Sequence, residues 1–299
     1  MNSVLTSVGL PVALGVIMFG LGLSLTTDDF RAVRRHPGAV LIALACQTLL
    51  LPLLCFGLVV AVGLPPLLAI GMMLLAASPG GSTANLFSHL FRGDVALNIT
   101  LTAVNSVVAL VTMPLIANLA VGWFDAGDDV SLTYAKVVEV FAVVLVPVVL
   151  GMAVRAANAG FAARMDRPVR IASALLLGVM VVGVLASQRE SIADHGARVG
   201  LTAAVFCVLS VLLGYYLPRA LGVRERQAVA SSFEIGIHNA TLAIYVAENA
   251  LGSTLAAVPA ALYGTLSFFV AAAWGTLLVR VLLSRPAAPA AAREPQPAP

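Results

Sequence analysis

The sequence predicts an all-α membrane protein, and three observations predict it. The 299-residue chain is 60% hydrophobic with a mean hydropathy of +1.01. Only 10% of its residues are charged, against about 25% in a soluble domain of average composition, so a water-facing surface could not be coated. Apolar stretches recur along the whole length, each long enough to cross about 30 Å of hydrocarbon as a helix. They do not alternate, as the strands of a membrane barrel would.

Nine spans are expected, at roughly 4–25, 38–62, 65–91, 94–121, 132–156, 168–188, 198–219, 226–248 and 254–283. The first has no basic residue before it and is followed at once by Asp28, Asp29, Arg31, Arg34 and Arg35. A cleaved signal peptide has the opposite flanks, so this segment reads as a retained span. With the N-terminus outside, fourteen of the seventeen basic residues fall in inside segments, leaving Lys136, Arg189 and Arg198 outside. That asymmetry predicts an outside N-terminus and a cytoplasmic C-terminus in the plasma (inner) membrane, by the positive-inside rule. The acids of the 124–131 loop then lie outside. An Ala- and Pro-rich tail, 284–299, has no apolar face and reads as a disordered cytoplasmic extension.

Other classes of function are excluded by what is missing. The basic residues sit in short loops and form no patch for a phosphate backbone, so no nucleic acid partner is expected; the partner surface is membrane lipid. Cys46, Cys55 and Cys207 lie inside apolar runs and read as small buried hydrophobes, without disulfide or metal spacing. Trp123 and the Tyr215–Tyr216 pair read as anchors at the membrane–water interface.

Two spans depart from plain Leu, Val, Ala and Gly. The third carries Ser78-Pro79-Gly80-Gly81-Ser82-Thr83-Ala84-Asn85 between apolar halves. Pro79 removes a donor and disfavours helix at Ser78, so the helix should unwind there. The eighth carries Phe233-Glu234-Ile235-Gly236-Ile237-His238-Asn239-Ala240-Thr241. An ionised acid near mid-membrane costs about 3 kcal/mol on insertion scales, and of the fourteen acids only Glu234 lies this deep. His238 is its i+4 neighbour, on the same face if the helix continues. Paired polar breaks in the two halves of a chain point to a transporter site between inverted repeats. Half-helix N-termini suit an anion, and unwound carbonyls with a carboxylate suit a small hard cation. Gln47, five residues before Pro52, and Asn98 and Thr102, which share a helix face with Asn105 one turn on, could join the same cluster.

The runs FGLGLSL…DDFRAVRRHPGAV, QTLLLPLL, SPGGSTANLFSHLFRGDVALNITLTAVNS and FEIGIHNATLA resemble, in order, the bile acid:sodium symporter family. The resemblance extends from about residue 16 to 280. It implies a single transporter domain, 1–283, of two inverted repeats. The core would be roughly 38–121 and 198–283, with two crossed broken helices; the panel would be roughly 4–25 and 132–188. Nine spans with an outside N-terminus match the mammalian members of that family.

The resemblance also implies sodium ions, one or two, as the coupling species. The first would be held by Ala84, Asn85, Asn98, Thr102 and Glu234. The second would use Gln47, Glu234, the backbone of Ile235 and Ile237, and His238. The family usually has glutamine where His238 stands, and imidazole is a poor sodium ligand, so the number of ions stays open. A small organic anion (bile-acid-like, pantoate-like or a keto acid) would lie in the cleft near Ser82, Thr83 and Asn239. The function implied is sodium-coupled symport by alternating access. A proton-coupled or one-sodium anion carrier using His238 is the alternative. An ion channel would want a ring of charge where there is one acid, and no nucleophile–base motif supports an enzyme.

Overall fold

The computed structural model describes residues 9–125 and 134–282; the 284–299 tail and the loop acids Asp128 and Asp129 lie outside them. The chain begins with α1 (Leu10–Ser24) and the short α2 (Thr27–Arg31), bent from it by 69°. Then come α3 (Pro37–Ala45), a π turn (Cys46–Leu50), α4 (Leu51–Val62), α5 (Pro66–Ala77), α6 (Ser82–Leu90) and α7 (Val95–Phe124). The second part comprises α8 (Tyr134–Ala157), α9 (Ala159–Ser187), α10 (Arg189–Ala220), α11 (Glu225–Gly236), α12 (Ala240–Tyr245) and α13 (Thr254–Leu277). Among the described residues there is no strand, only one isolated bridge between Gly80 and His238.

Over their described residues the expected segments are helical, in one piece or in two pieces split at a break. Five segments are long and apolar enough to cross a membrane singly: Pro37–Val62, Val95–Phe124, Ala159–Ser187, Arg189–Ala220 and Thr254–Arg280. The bent pair Pro11–Ser24 and Thr27–Arg35 makes a sixth if it is one span, while Pro66–Ala77 and Ala142–Ala157 are shorter apolar helices.

The helices sort into two groups by packing. Helices α1, α8 and α9 pack on one another. A Cβ at Gly22 would overlap the Val148 carbonyl, and one at Gly151 the Phe19 carbonyl. Two glycines therefore let α1 and α8 approach backbone to backbone, the small-residue packing common in membranes. The remaining long helices form the larger group, in which α13 packs on α5, α10 and α12, and α7 on α5, α6 and α11. Contacts of α9 with α13 and of α12 with α1 join the groups.

Cys46, Cys55 and Cys207 are buried free thiols. Trp123 is 68% exposed, as an interface anchor would be. Tyr215 is instead buried, edge-on to Trp274, whose Nε1 donates to Ser232 Oγ at 2.8 Å. An aromatic pair on one helix thus splits its roles, because adjacent residues point to different sides.

Candidate functional site

Both breaks have local causes. Ser78, the residue before Pro79, is extended (φ −72°, ψ 144°) and ends α5; its hydroxyl donates to the Leu75 carbonyl at 2.7 Å. Helix resumes at Ser82 after an extended Gly81. In the other segment α11 stops at Gly236 and Asn239 restarts the helix as a cap, its Oδ1 accepting from Leu242 N–H at 3.0 Å. The breaks satisfy each other. Gly81 N–H donates to the Ile237 carbonyl at 3.2 Å and Asn239 N–H to the Pro79 carbonyl at 2.8 Å. Irregular backbone inside an apolar bundle persists only with such partners.

Glu234 is fully buried where the breaks meet. Its Oε2 accepts from Thr102 Oγ1 at 2.6 Å and its Oε1 from Asn105 Nδ2 at 3.2 Å, while the Gly80 N–H donates as well. A Cβ at Gly80 would overlap the carboxyl group, so only glycine lets the first break lie against this acid. No basic side chain neutralises it: the only ion pair among the described residues is Asp28–Arg31, on the surface. A buried carboxylate without a countercharge costs several kcal/mol.

Around this acid stand amides with a common orientation. Gln47 Nε2 donates to the Ser78 carbonyl at 2.9 Å, Asn98 Nδ2 to the Ala230 carbonyl at 2.7 Å, and Asn105 Nδ2 to Glu234. Each partner can only accept, so the nitrogens are fixed and the oxygens point elsewhere. The side-chain oxygens of Gln47, Asn98, Asn105 and Asn85 are all buried without a donor. Buried polar atoms normally find partners; bare amide oxygens, one of them on the Asn105 that contacts the acid, suit a hard cation. Among the described residues there is no cluster of three or more His, Cys, Asp or Glu that would favour a softer metal.

His238 departs from the sequence reading. Because α11 ends at Gly236, His238 leaves the helical face of Glu234 and takes part in the bridge to Gly80. Its Nδ1 lies 2.9 Å from the Tyr263 hydroxyl, which itself donates to the Gly236 carbonyl at 2.8 Å. The hydroxyl therefore accepts from Nδ1–H, and Nε2 is a buried acceptor without a partner. The Ile237 carbonyl, expected as a cation ligand, accepts from Gly81, and Ala84 is fully buried with its N–H on the Gly81 carbonyl. Asn105, Gly80 and Tyr263 were not among the expected site residues. Asn105 was visible as the next polar residue on the Asn98–Thr102 face; Tyr263 carried no signal.

Thr83 and Asn239 line a cavity of about 300 Å³ between the break segments and Ile17, Ser173 and Leu177 of α1 and α9. It shares Ile17, Leu86 and Ser173 with a second cavity of about 370 Å³, which reaches Asn85 and His89. Ser82 opens α6, and its side chain lies outside the described ones. On the far side of the breaks, Pro79 and Asn239 border a space of only about 30 Å³, with Met113 and Val140.

Residues 11–195 match the model of the Sodium Bile acid symporter family. The chain belongs to this family. The matched stretch contains the first break and α7, and full-length relatives extend the similarity. The sodium-dependent transporter YocS of Bacillus subtilis, itself named uncharacterized, is 28% identical over 254 residues, covering 84% of this chain and 77% of that one. The chloroplastic protein BASS1 of Arabidopsis thaliana, named a probable sodium/metabolite cotransporter, is 28% identical over 84% of this chain and 61% of its own length. The human ileal sodium/bile acid cotransporter is 27% identical over 80% of this chain and 69% of that one. The symporter family is one of sodium-dependent transporters, not enzymes, and its member here is an integral membrane protein with sodium as the coupling ion.

Proposed function

We propose that the protein carries a small organic anion inward with sodium by alternating access, across a fold of nine spans and two inverted repeats. The observation that carries this reading is Glu234: a fully buried acid with no basic partner, beside buried amide oxygens that lack donors. Asn85, Asn98, Thr102 and Glu234, with the backbone at Ala84, are the first sodium site of this reading. Sodium there neutralises the acid and fixes the contact between the breaks. Inward sodium gains about 2.3 kcal/mol per charge per 100 mV of potential, enough to drive accumulation of solute.

The anion site of this reading is the cavity of Thr83 and Asn239, with Ser82 beside them. The N-terminus of α6 carries no side-chain cap, and with the Ala84 N–H on the Gly81 carbonyl it is the Ser82 and Thr83 N–H groups and the positive end of the helix dipole that would serve an anion. The helix group α1, α8 and α9 acts as the panel and the remaining long helices as the core. Large cavities on the His89 side of the breaks and a narrow one on the Met113 side are what one end state of alternating access requires. With the basic residues inside, that state opens to the cytoplasm.

The test is a thermal-shift screen of bile-acid-like, pantoate-like and keto acids, each with and without sodium, followed by uptake of the best ligand. Stabilisation and uptake should require sodium and vanish in Glu234→Ala. Sodium dependence that survives intact in that variant would sink the proposal.

A further inference from the structure

We propose that Thr241 and Ser173 are specificity-determining residues of the anion cavity, holding an uncharged oxygen (a hydroxyl or a keto group) that the transported anion carries beyond its carboxylate. The inference rests on the anion-carrier reading and deepens it by naming the substrate class.

The cavity of about 300 Å³ is bordered by hydroxyls whose hydrogens are unspent. Hydroxyls on helices commonly give their hydrogen to the carbonyl one turn back, as those of Thr100, Thr202 and Thr276 do here. Among the described residues, the hydroxyls of Thr83, Thr241 and Ser173 have no hydrogen-bond partner, and all three residues line the cavity. Thr241 is only 3% exposed, yet its hydroxyl is not sealed from space as those of Ser88 and Ser231 are. The space it meets is this cavity. Ser267 gives its hydrogen to the Gly264 carbonyl at 3.2 Å and His238 commits its Nδ1–H to Tyr263, so neither adds a donor.

The free donors fall into two sets. Thr83 and Asn239 stand at the breaks beside the N-terminus of α6, where the anion-carrier reading seats the carboxylate. Thr241 lies two residues further along the chain in α12, and Ser173 faces the breaks from α9 on the opposite wall. A carboxylate at the α6 end leaves these two hydroxyls to another group. A wholly apolar skeleton would strip them of water and give them no acceptor, which is unfavourable, whereas an oxygen on the skeleton accepts from them. A second carboxylate suits the place less well. Among the described residues no Lys or Arg lines the cavity, so a second charge would be desolvated without a countercharge. Ile17, Met18, Leu21, Leu177 and Phe268 complete a wall that suits carbon. The class is a singly charged acid with an apolar skeleton and one further neutral oxygen.

Isothermal titration of the purified full-length protein, with and without sodium, tests this. The probes are octanoate and octanoates bearing one hydroxyl, moved in turn from the second carbon to the last. At least one hydroxy acid should bind wild type about tenfold or more tighter than octanoate. Thr241→Val combined with Ser173→Ala should bring that ratio close to one, while Thr241→Ser alone should keep it. The two single variants carry the same test, each lowering the ratio, should the double variant not fold. Octanoate binding as tightly as every hydroxy acid, or a ratio that survives the double substitution, overturns the inference and leaves sodium-dependent anion binding standing. Absence of sodium-dependent binding by all of these acids removes the anion-carrier reading as well.

Discussion

At the scale of the residue, Glu234 shows how one charge organises its neighbours. Thr102, Asn105 and the Gly80 N–H give it three hydrogen bonds, and no described basic side chain pairs with it. Gly80 is the least conspicuous of these partners and the least replaceable, since a Cβ there occupies the space of the carboxyl group. Gly80→Ala should lower stability by about 1–3 kcal/mol and raise the sodium concentration for half-maximal stabilisation about tenfold or more. Thermal melts at graded sodium measure both. A variant that melts and responds like wild type would show that the acid is not held against the break.

At the scale of the element, the protein depends on helices that stop in the middle of the bundle. Ser78–Gly81 and Ile237–Asn239 each free backbone groups, and each supplies the partners the other needs. The end of α11 has a second fastening in α13, where Tyr263 donates to the Gly236 carbonyl and accepts from His238. Removing that hydroxyl leaves a buried ring N–H without its partner and the Gly236 carbonyl with only the weak Cys207 thiol donor, a loss of about 1–3 kcal/mol for the unpaired group. Tyr263→Phe should therefore lower the melting temperature in sodium-free buffer, by an amount that differential scanning fluorimetry resolves. An unchanged melting temperature would mean that α11 ends where it does without this bond.

At the scale of the whole molecule, two helix groups meet along a cleft, and the breaks divide it into a roomy side and a narrow side. Which side faces the cytoplasm is a matter of the basic residues. In the background of the buried native cysteines, Arg92→Cys should react with an impermeant thiol reagent only from the cytoplasmic side. Arg189→Cys should react only from outside. The reverse pattern would invert the orientation and with it the direction in which the cleft opens.

Composition by itself determined that the chain lives in a membrane, because burial in lipid is a bulk property that 10% charge and +1.01 mean hydropathy decide without geometry. Sequence also placed both helix interruptions, by Pro79 with Gly80 and Gly81 in the first and by the polar run around Gly236 in the second, because such residues act on the nearest backbone bonds. It ranked Glu234 first among the acids, because an acid at that depth is costly wherever its neighbours lie. The tertiary structure alone decided the partners. Gly80 against Glu234, Tyr263 against His238 and Asn105 against Glu234 each join residues far apart in the chain, where no spacing rule reaches. It moved His238 off the face of Glu234 because the helix that would have aligned them ends two residues earlier. Local chemistry is written in neighbouring residues; the candidate site belongs to contacts that exist only after the two breaks have met.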